Sequence, residues 1–387
     1  MAQVKATLTE IADFQYDNQR TTRDGEFSPA TTVLLGGPGV GKTQWSMNVF
    51  PKIVAEARGL TIDEVAVILT QPAIRDSQEY AGIGIPAKQD GDSGQLVTRF
   101  SLPNLLEQIE QRRKDGAKCI VIVADEISAA SDDVQKLLAP LVDKYDKRLG
   151  DNYVGSDVVL IMTGNRAGKD KAGARRLLAH LPNRSAVFEL KTDHPAFADW
   201  GDANGIHSLF TAIARTVDGF FVDEPPSEDG QFCTYRQVEQ SSDYLKQREA
   251  TGRFVDTITP AIEMGIASFI GIDAAAMFAS FARQIAEGIP TAEEIFTNPL
   301  TSKVPSNPAS QQFAVNRATA DLPKYGPEAG NQLYDYVNRL APDLQVIAGV
   351  KVAKAAIRAG INLNSDLANA FMEKHADLIE LATNIGE

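Results

Sequence analysis

The sequence predicts an α/β fold, a parallel sheet covered by helices on both faces, followed by wholly helical segments. Three observations predict it. Five short runs are β-branched and almost continuously apolar: "TTVLL" (31–35), "VAVILT" (65–70), "CIVIVA" (119–124), "VVLIMTG" (158–164) and "AVFEL" (186–190). Runs of that kind mark strands buried on both faces. Helical stretches alternate with them, the pattern that builds parallel sheets. Beyond residue 225 no strong strand pattern recurs.

Taken in order, residues 1–30 are polar and mixed, and read as one short helix and then a loop through "TTRDGEFSPA". A helix is expected over "KTQWSMNVFPKIVAEA". In "VQKLLAPLVDKY", Val134, Leu137, Leu138, Leu141 and Val142 recur at helical spacing and form an apolar stripe. "VDEPPSEDGQ" (222–231) is a polar break with prolines and glycine. Helices follow at "TYRQVEQSSDYLKQ" and at "DAAAMFASFARQIAEG", with Asp273 as the expected N-cap. "IPTAEEIFTNPLTSKVPSNPAS" reads as a linker around one helical turn. At the C-terminal end Leu333, Tyr336, Val337 and Leu340 share one face, as do Leu367, Phe371 and Leu378. The expected division is an N-terminal segment at 1–30, an α/β core at 31–225, a helical lid at 226–300 and a helical extension at 301–387.

Bulk composition narrows the partners. The chain has 387 residues, and its 38 Lys+Arg against 51 Asp+Glu give a net charge of −13. So acidic a chain repels phosphate backbones unless its cations cluster, and the expectation is that nucleic acid is not its partner. Cys119 and Cys233 lie far apart and suit a reducing compartment. No apolar run approaches the roughly 18 residues that span a bilayer, and "MAQVKATLTEIADF" lacks a signal-peptide core. The expectation is a cytoplasmic protein with no membrane partner. The four histidines, His180, His194, His207 and His375, show no metal-ligand spacing.

"GGPGVGKT" follows the first strand and opens the first helix. Gly36-x-x-x-x-Gly41-Lys42-Thr43 meets the P-loop pattern in full, in the strand–turn–helix context it requires. Such a loop turns several backbone N–H groups toward one anion, which needs glycines at angles other residues avoid. The stretch Gly36, Gly37, Pro38, Gly39, Val40, Gly41, Lys42, Thr43 and Gln44 is therefore the expected cradle for ATP. Lys42 would reach the β- and γ-phosphates, and the Thr43 hydroxyl would ligate Mg²⁺. The strand "CIVIVA" ends in Asp125 and Glu126. A carboxylate there can hold the magnesium, and the next can orient or deprotonate an attacking water. The strand "VVLIMTG" is followed by Asn165, whose side chain can reach between Glu126 and the γ-phosphate.

With these three motifs in order, the chain resembles AAA+ ATPases, specifically the MoxR-like branch of bacteria and their phages, over about residues 31–300. "SDDVQKLLAPLVDKYDKRLGDNYVGSDVVLIMTGNR", "AGARRLLAHLPNRSAVFEL", "TDHPAFADWGDANGIHSLF" and "FCTYRQVEQSSDYL" carry the more specific likeness. It implies a five-stranded parallel AAA+ core with an α-helical lid, working as a ring, usually a hexamer, with ATP and Mg²⁺. By the same resemblance Thr43 and Asp125 hold the metal, Glu126 is the base and Asn165 is sensor 1. Arg184 is the finger reaching a neighbouring subunit's site, and Arg236 is sensor 2. Two positions depart from the family: Ser185 stands where Phe usually follows the finger, and Tyr235 where Pro usually precedes the sensor-2 arginine. Arg166, Arg175 and Arg176 compete for the role in trans.

Residues 71–105 read as a long irregular insertion of the kind that carries substrate-facing loops in such rings. Arg99 and Phe100 either project as an aromatic grip beside a charge, or Phe100 tucks into the core. The function implied is a ring ATPase that remodels a protein partner, in this branch often with a von Willebrand factor A-type protein. The alternative is a nucleic-acid motor or processing ATPase, against which the net charge and the absence of a recognisable DNA-binding module count. A third reading, a scaffold that binds ATP and barely hydrolyses it, is opposed by the intact Asp125–Glu126 pair.

Overall fold

A computed structural model describes residues 4–88, 96–170, 173–224, 230–251, 253, 258–286, 288–306 and 308–361. The expected face of Leu367, Phe371 and Leu378, and His375, lie outside the described residues. The chain forms two compact units. The first comprises 1–193 with 222–229 and 234–236, and the second 194–221, 230–233 and 237–387.

The first unit runs β1 (Val4–Ala6), α1 (Leu8–Gln19), β2 (Thr22–Arg23), β3 (Glu26–Phe27), β4 (Thr31–Leu35), α2 (Lys42–Asn48), α3 (Phe50–Arg58), β5 (Val65–Thr70), α4 (Ser77–Ala81), β6 (Gly84–Lys88), β7 (Leu96–Phe100), α5 (Asn104–Lys114), β8 (Cys119–Ala124), α6 (Asp132–Leu138), β9 (Arg148–Leu149), β10 (Asn152–Tyr153), β11 (Val158–Gly164) and β12 (Ser185–Leu190). Its main sheet is parallel, in the order β1-β12-β4-β11-β8-β5. All five predicted strands are present, and β1 makes a sixth.

That sixth strand corrects the reading of residues 1–30. Val4–Ala6 pairs in parallel with Phe188–Leu190, α1 carries a Thr7–Glu10 capping box, and β2–β3 form a hairpin where a loop was expected. Three residues with a lysine among them carry too little apolar pattern to announce an edge strand. The expected helix after the P-loop is two, because Val49 ends α2 and Pro51 opens α3. Pro140 likewise shortens the helix of the Val134 stripe, and its last turn, Ala139–Val142, is a 3₁₀-helix. Val134, Leu138, Leu141 and Val142 are buried as expected.

The sheet separates two apolar layers. One contains Ile120 and Ile122 of β8 with Leu105, Ile109, Val134 and Leu138. The other contains Val121 and Val123 with Ile11, Phe50 and Val54. Alternate residues of one strand thus feed opposite faces. Among its described residues, the insertion after β5 forms α4 and the antiparallel pair β6–β7. Phe100 is 66% exposed, so it is not folded into the core.

The second unit is helical among the described residues: α7 (His194–Ala203), α8 (Ser208–Thr216), α9 (Tyr235–Ala250), α10 (Pro260–Ile270), α11 (Ile272–Ala286), α12 (Ala292–Thr297), α13 (Pro308–Asp321), α14 (Ala329–Val337) and α15 (Pro342–Arg358). Asp273, the expected N-cap, stands instead inside the first turn of α11, two residues past the cap position at Gly271. Leu333, Tyr336, Val337 and Leu340 are all buried in one cluster.

Candidate functional site

Parallel pairing brings the predicted motifs together. β4, β11 and β8 are neighbours, with Gly164 opposite Leu35 and Ala124 opposite Met162. Their C-terminal ends therefore lie side by side, and the P-loop, Asn165 and Asp125 leave the sheet at one edge. In open α/β sheets that edge is where ligands bind.

The loop has the backbone its sequence requires. Gly39 and Gly41 take φ of 73° and 91°, angles that disfavour any side chain. At Gly39 a β-carbon would also come within 2.5 Å of the Thr234 hydroxyl oxygen. Gly41 is the N-cap of α2. The Lys42 ammonium is buried and donates to the carbonyls of Gly36 (2.8 Å) and Gly37 (2.6 Å) and to Asn165 Oδ1 (3.2 Å). Burial lowers its pKa to about 8, against the opposing pull of Asp170 and then Asp125. Triphosphate oxygens arriving there would replace two neutral carbonyls with anionic partners, which bind a cation more strongly. Pro38 and Val40 are half-buried in the loop, and Gln44 is exposed on α2, accepting from Asn48.

Thr43 Oγ1 lies 3.0 Å from both carboxylate oxygens of Asp125. Thr163, one residue before the end of β11, donates its hydroxyl to Asp125 Oδ1 as well. Two oxygen ligands meet here, and among the described residues no cluster of three or more His, Cys, Asp or Glu could hold a metal. Such a pair suits a magnesium ion that keeps waters and takes its remaining ligands from phosphate. These residues fit Mg²⁺–ATP.

Glu126 is exposed, and its backbone is left-handed at φ 58°. That conformation costs a residue with a β-carbon about 1–2 kcal/mol, and such strain clusters at functional sites. It turns the chain sharply after Asp125, whose Oδ1 accepts the Glu126 N–H at 3.2 Å. Ser128 Oγ accepts the Asn165 N–H at 2.9 Å and so fixes the asparagine's backbone. A β-carbon on Gly164 would lie 2.9 Å from that same oxygen, which explains the glycine.

Arg236 also reaches this edge. Its N–H donates to the Gly39 carbonyl at 3.3 Å, and its charge depresses Lys42. Tyr235, in the place usually held by proline, is largely buried with its phenol pushed up by that burial.

Arg184 is elsewhere. It closes the 3₁₀ turn Pro182–Arg184 before β12, is about half exposed and sits 3.9 Å from Asp143. Ser185 is opposite Thr31, the first residue of β4. At about 3.3 Å per residue, Arg184 is more than 13 Å from its own P-loop. Arg166, a competitor for the role in trans, points inward: its guanidinium is paired with Asp170 (2.7 Å) and Glu189 (3.4 Å). Burial opposes its charge, and Asp170 and then Glu189 more than offset that, raising its pKa.

Sequence reasoning missed Thr163, Ser128 and Asp170. Thr163 had a visible signal, a lone hydroxyl ending an apolar strand. Ser128 and Asp170 lie in irregular segments whose pairing no periodicity announces.

No protein-family model matches the chain, and no curated protein matches it in sequence. Among solved structures, it is similar to Thermotoga maritima RuvB, a Holliday junction branch migration motor, at 11% identity and a TM-score of 0.36, covering 93% of this chain and 89% of that one. A point mutant of the same protein gives 12% identity and a TM-score of 0.38, with 92% and 95% covered.

Proposed function

We propose that the chain is a Mg²⁺-dependent ATPase of the AAA+ class, MoxR-like, that assembles into a ring and remodels a protein partner. One observation carries the ATPase reading: Lys42, Asn165 and the Thr43–Asp125 pair converge at 2.6–3.2 Å on the loop carbonyls and on one another, with Glu126 next in the chain. Loop, lysine and helix N-terminus bind the phosphates, and Thr43 with Asp125 holds the metal. A magnesium ion held by Thr43 and Asp125 would supply charge neutralisation on the phosphates. Glu126 takes the proton of the attacking water, and Asn165 orients that water. Arg184, too far from its own loop, supplies a guanidinium to a neighbouring copy.

The hairpin β6–β7 supports a protein as the partner. Ile85, Leu96 and Phe100 are exposed on it, apolar side chains suited to gripping polypeptide. A von Willebrand factor A-type protein is the adaptor the resemblance favours. The test is a Glu126→Gln protein held in Mg²⁺–ATP. Retained ATP, slow turnover and co-purification of a discrete protein support the reading. DNA binding that weakens steeply with salt, together with DNA-stimulated turnover, would replace it with a nucleic-acid motor.

A further inference from the structure

The chain leaves its first unit after Asp193 and returns at Val222. Thr192 and Asp223 flank these crossings, and the Thr192 hydroxyl donates to Asp223 Oδ1 at 2.6 Å. The backbone carbonyl of Asp223 accepts from Arg166 Nη2 at 2.6 Å. Arg166 follows Asn165 directly. Its Nε and Nη2 grip Asp170 Oδ1 at 2.9 and 2.7 Å, and its own N–H donates to Asp170 Oδ2. Asp170 has no exposed side-chain surface. The same Nη2 lies 3.6 Å from where a β-carbon on Gly37 would stand, and the Gly37 carbonyl accepts from Lys42.

One planar fork therefore holds three partners: the Asp170 carboxylate, which also accepts the backbone N–H next to Asn165, Glu189 of β12 at 3.4 Å, and the Asp223 carbonyl, and it lies beside Gly37 of the P-loop. Solvation does not explain it, since an exposed arginine would need no buried aspartate. A buried pair is seldom a net gain in stability over apolar residues of equal size. Its geometry does what such residues could not, which is to hold the Asp223 carbonyl and the carboxylates of Asp170 and Glu189 around one rigid plane.

We infer that Arg166 is a positioning residue of the nucleotide site, fixing the Asn165 end of β11 against the P-loop and tying nucleotide occupancy to the chain crossing at Asp223. This rests on the nucleotide reading of the site. A shift of Gly37 or Asn165 as phosphate arrives moves the guanidinium, and the guanidinium carries Asp223 with it.

The test compares the full-length protein with Arg166→Lys, which keeps a charge for Asp170 but cannot span all three partners. Hydrogen exchange is followed at residues 222–224 with and without a Mg²⁺-bound non-hydrolysable ATP analogue, alongside ATP affinity and turnover. The wild type should gain protection there. Arg166→Lys should bind ATP within about threefold of the wild type, lose the added protection and turn over at least about tenfold more slowly. The double variant Arg166→Met/Asp170→Leu removes the pair, leaves Glu189 paired with Lys169 at 3.3 Å, and should behave likewise. Wild-type protection and turnover in these variants would overturn the inference. So would a loss of ATP affinity in Arg166→Lys, which would make Arg166 a binding group. A wild type that binds ATP without any change at 222–224 would also overturn it. A wild type that binds no ATP would instead sink the nucleotide reading itself, and the inference with it.

Discussion

Burial lowers the pKa of Lys42 to about 8, so its charge changes within the range of ordinary buffers. Only the protonated form pairs with phosphate. Raising the pH from 7 to 9 should therefore weaken ATP binding by about tenfold, as a fluorescent-nucleotide titration would measure. Lys42→Ala should lose affinity at every pH while its unfolding transition survives. Glu126 is a second residue whose local cost points to use. Glu126→Gln should bind ATP normally and hydrolyse it about 10²–10⁴-fold more slowly. Glu126→Gly should be equally slow yet melt no lower than the wild type, because glycine accepts φ 58° without strain.

The elements differ in how far the sequence announced them, and burial is the reason. β8, "CIVIVA", is fully buried on both faces, so an unbroken apolar run was enough to place it. β1 and the β6–β7 hairpin are exposed, and nothing in their patterns distinguishes them from loops. That the P-loop, Asp125 and Asn165 would lie side by side was legible, because each motif directly follows a buried apolar strand. The Arg166–Asp170 pair was not, since an ion pair in an irregular segment leaves no period. Lys147 was also missed: it is buried and donates to the Val158 carbonyl at the start of β11 at 2.6 Å. Burial, reinforced by Arg58, lowers its pKa to about 8. The unfolded chain then binds more protons than the folded one between about pH 8 and the ordinary lysine value. Stability contributed through Lys147 rises with pH across that window. Relative to Lys147→Met, the wild type should gain unfolding free energy between pH 8 and 10, as urea titrations at each pH would show.

At the scale of the whole molecule, the proposed nucleotide-binding end and the candidate trans arginine lie at opposite ends of one parallel sheet. A single copy holds Lys42, Thr43, Asp125, Glu126 and Asn165 together and Arg184 apart from them. Arg184→Ala should bind ATP and assemble, yet turn over slowly. Mixed with Glu126→Gln, it should recover part of the lost activity, because some interfaces then join an intact Glu126 to an intact Arg184. The most direct measurement is wild-type specific ATPase activity across a wide dilution series, with oligomeric state read in parallel. Activity per subunit should fall as the assembly dissociates, since an arginine from next door contributes on the order of 10³–10⁵ in rate. A protein that stays monomeric with ATP and keeps constant specific activity throughout would contradict a site completed by its neighbour.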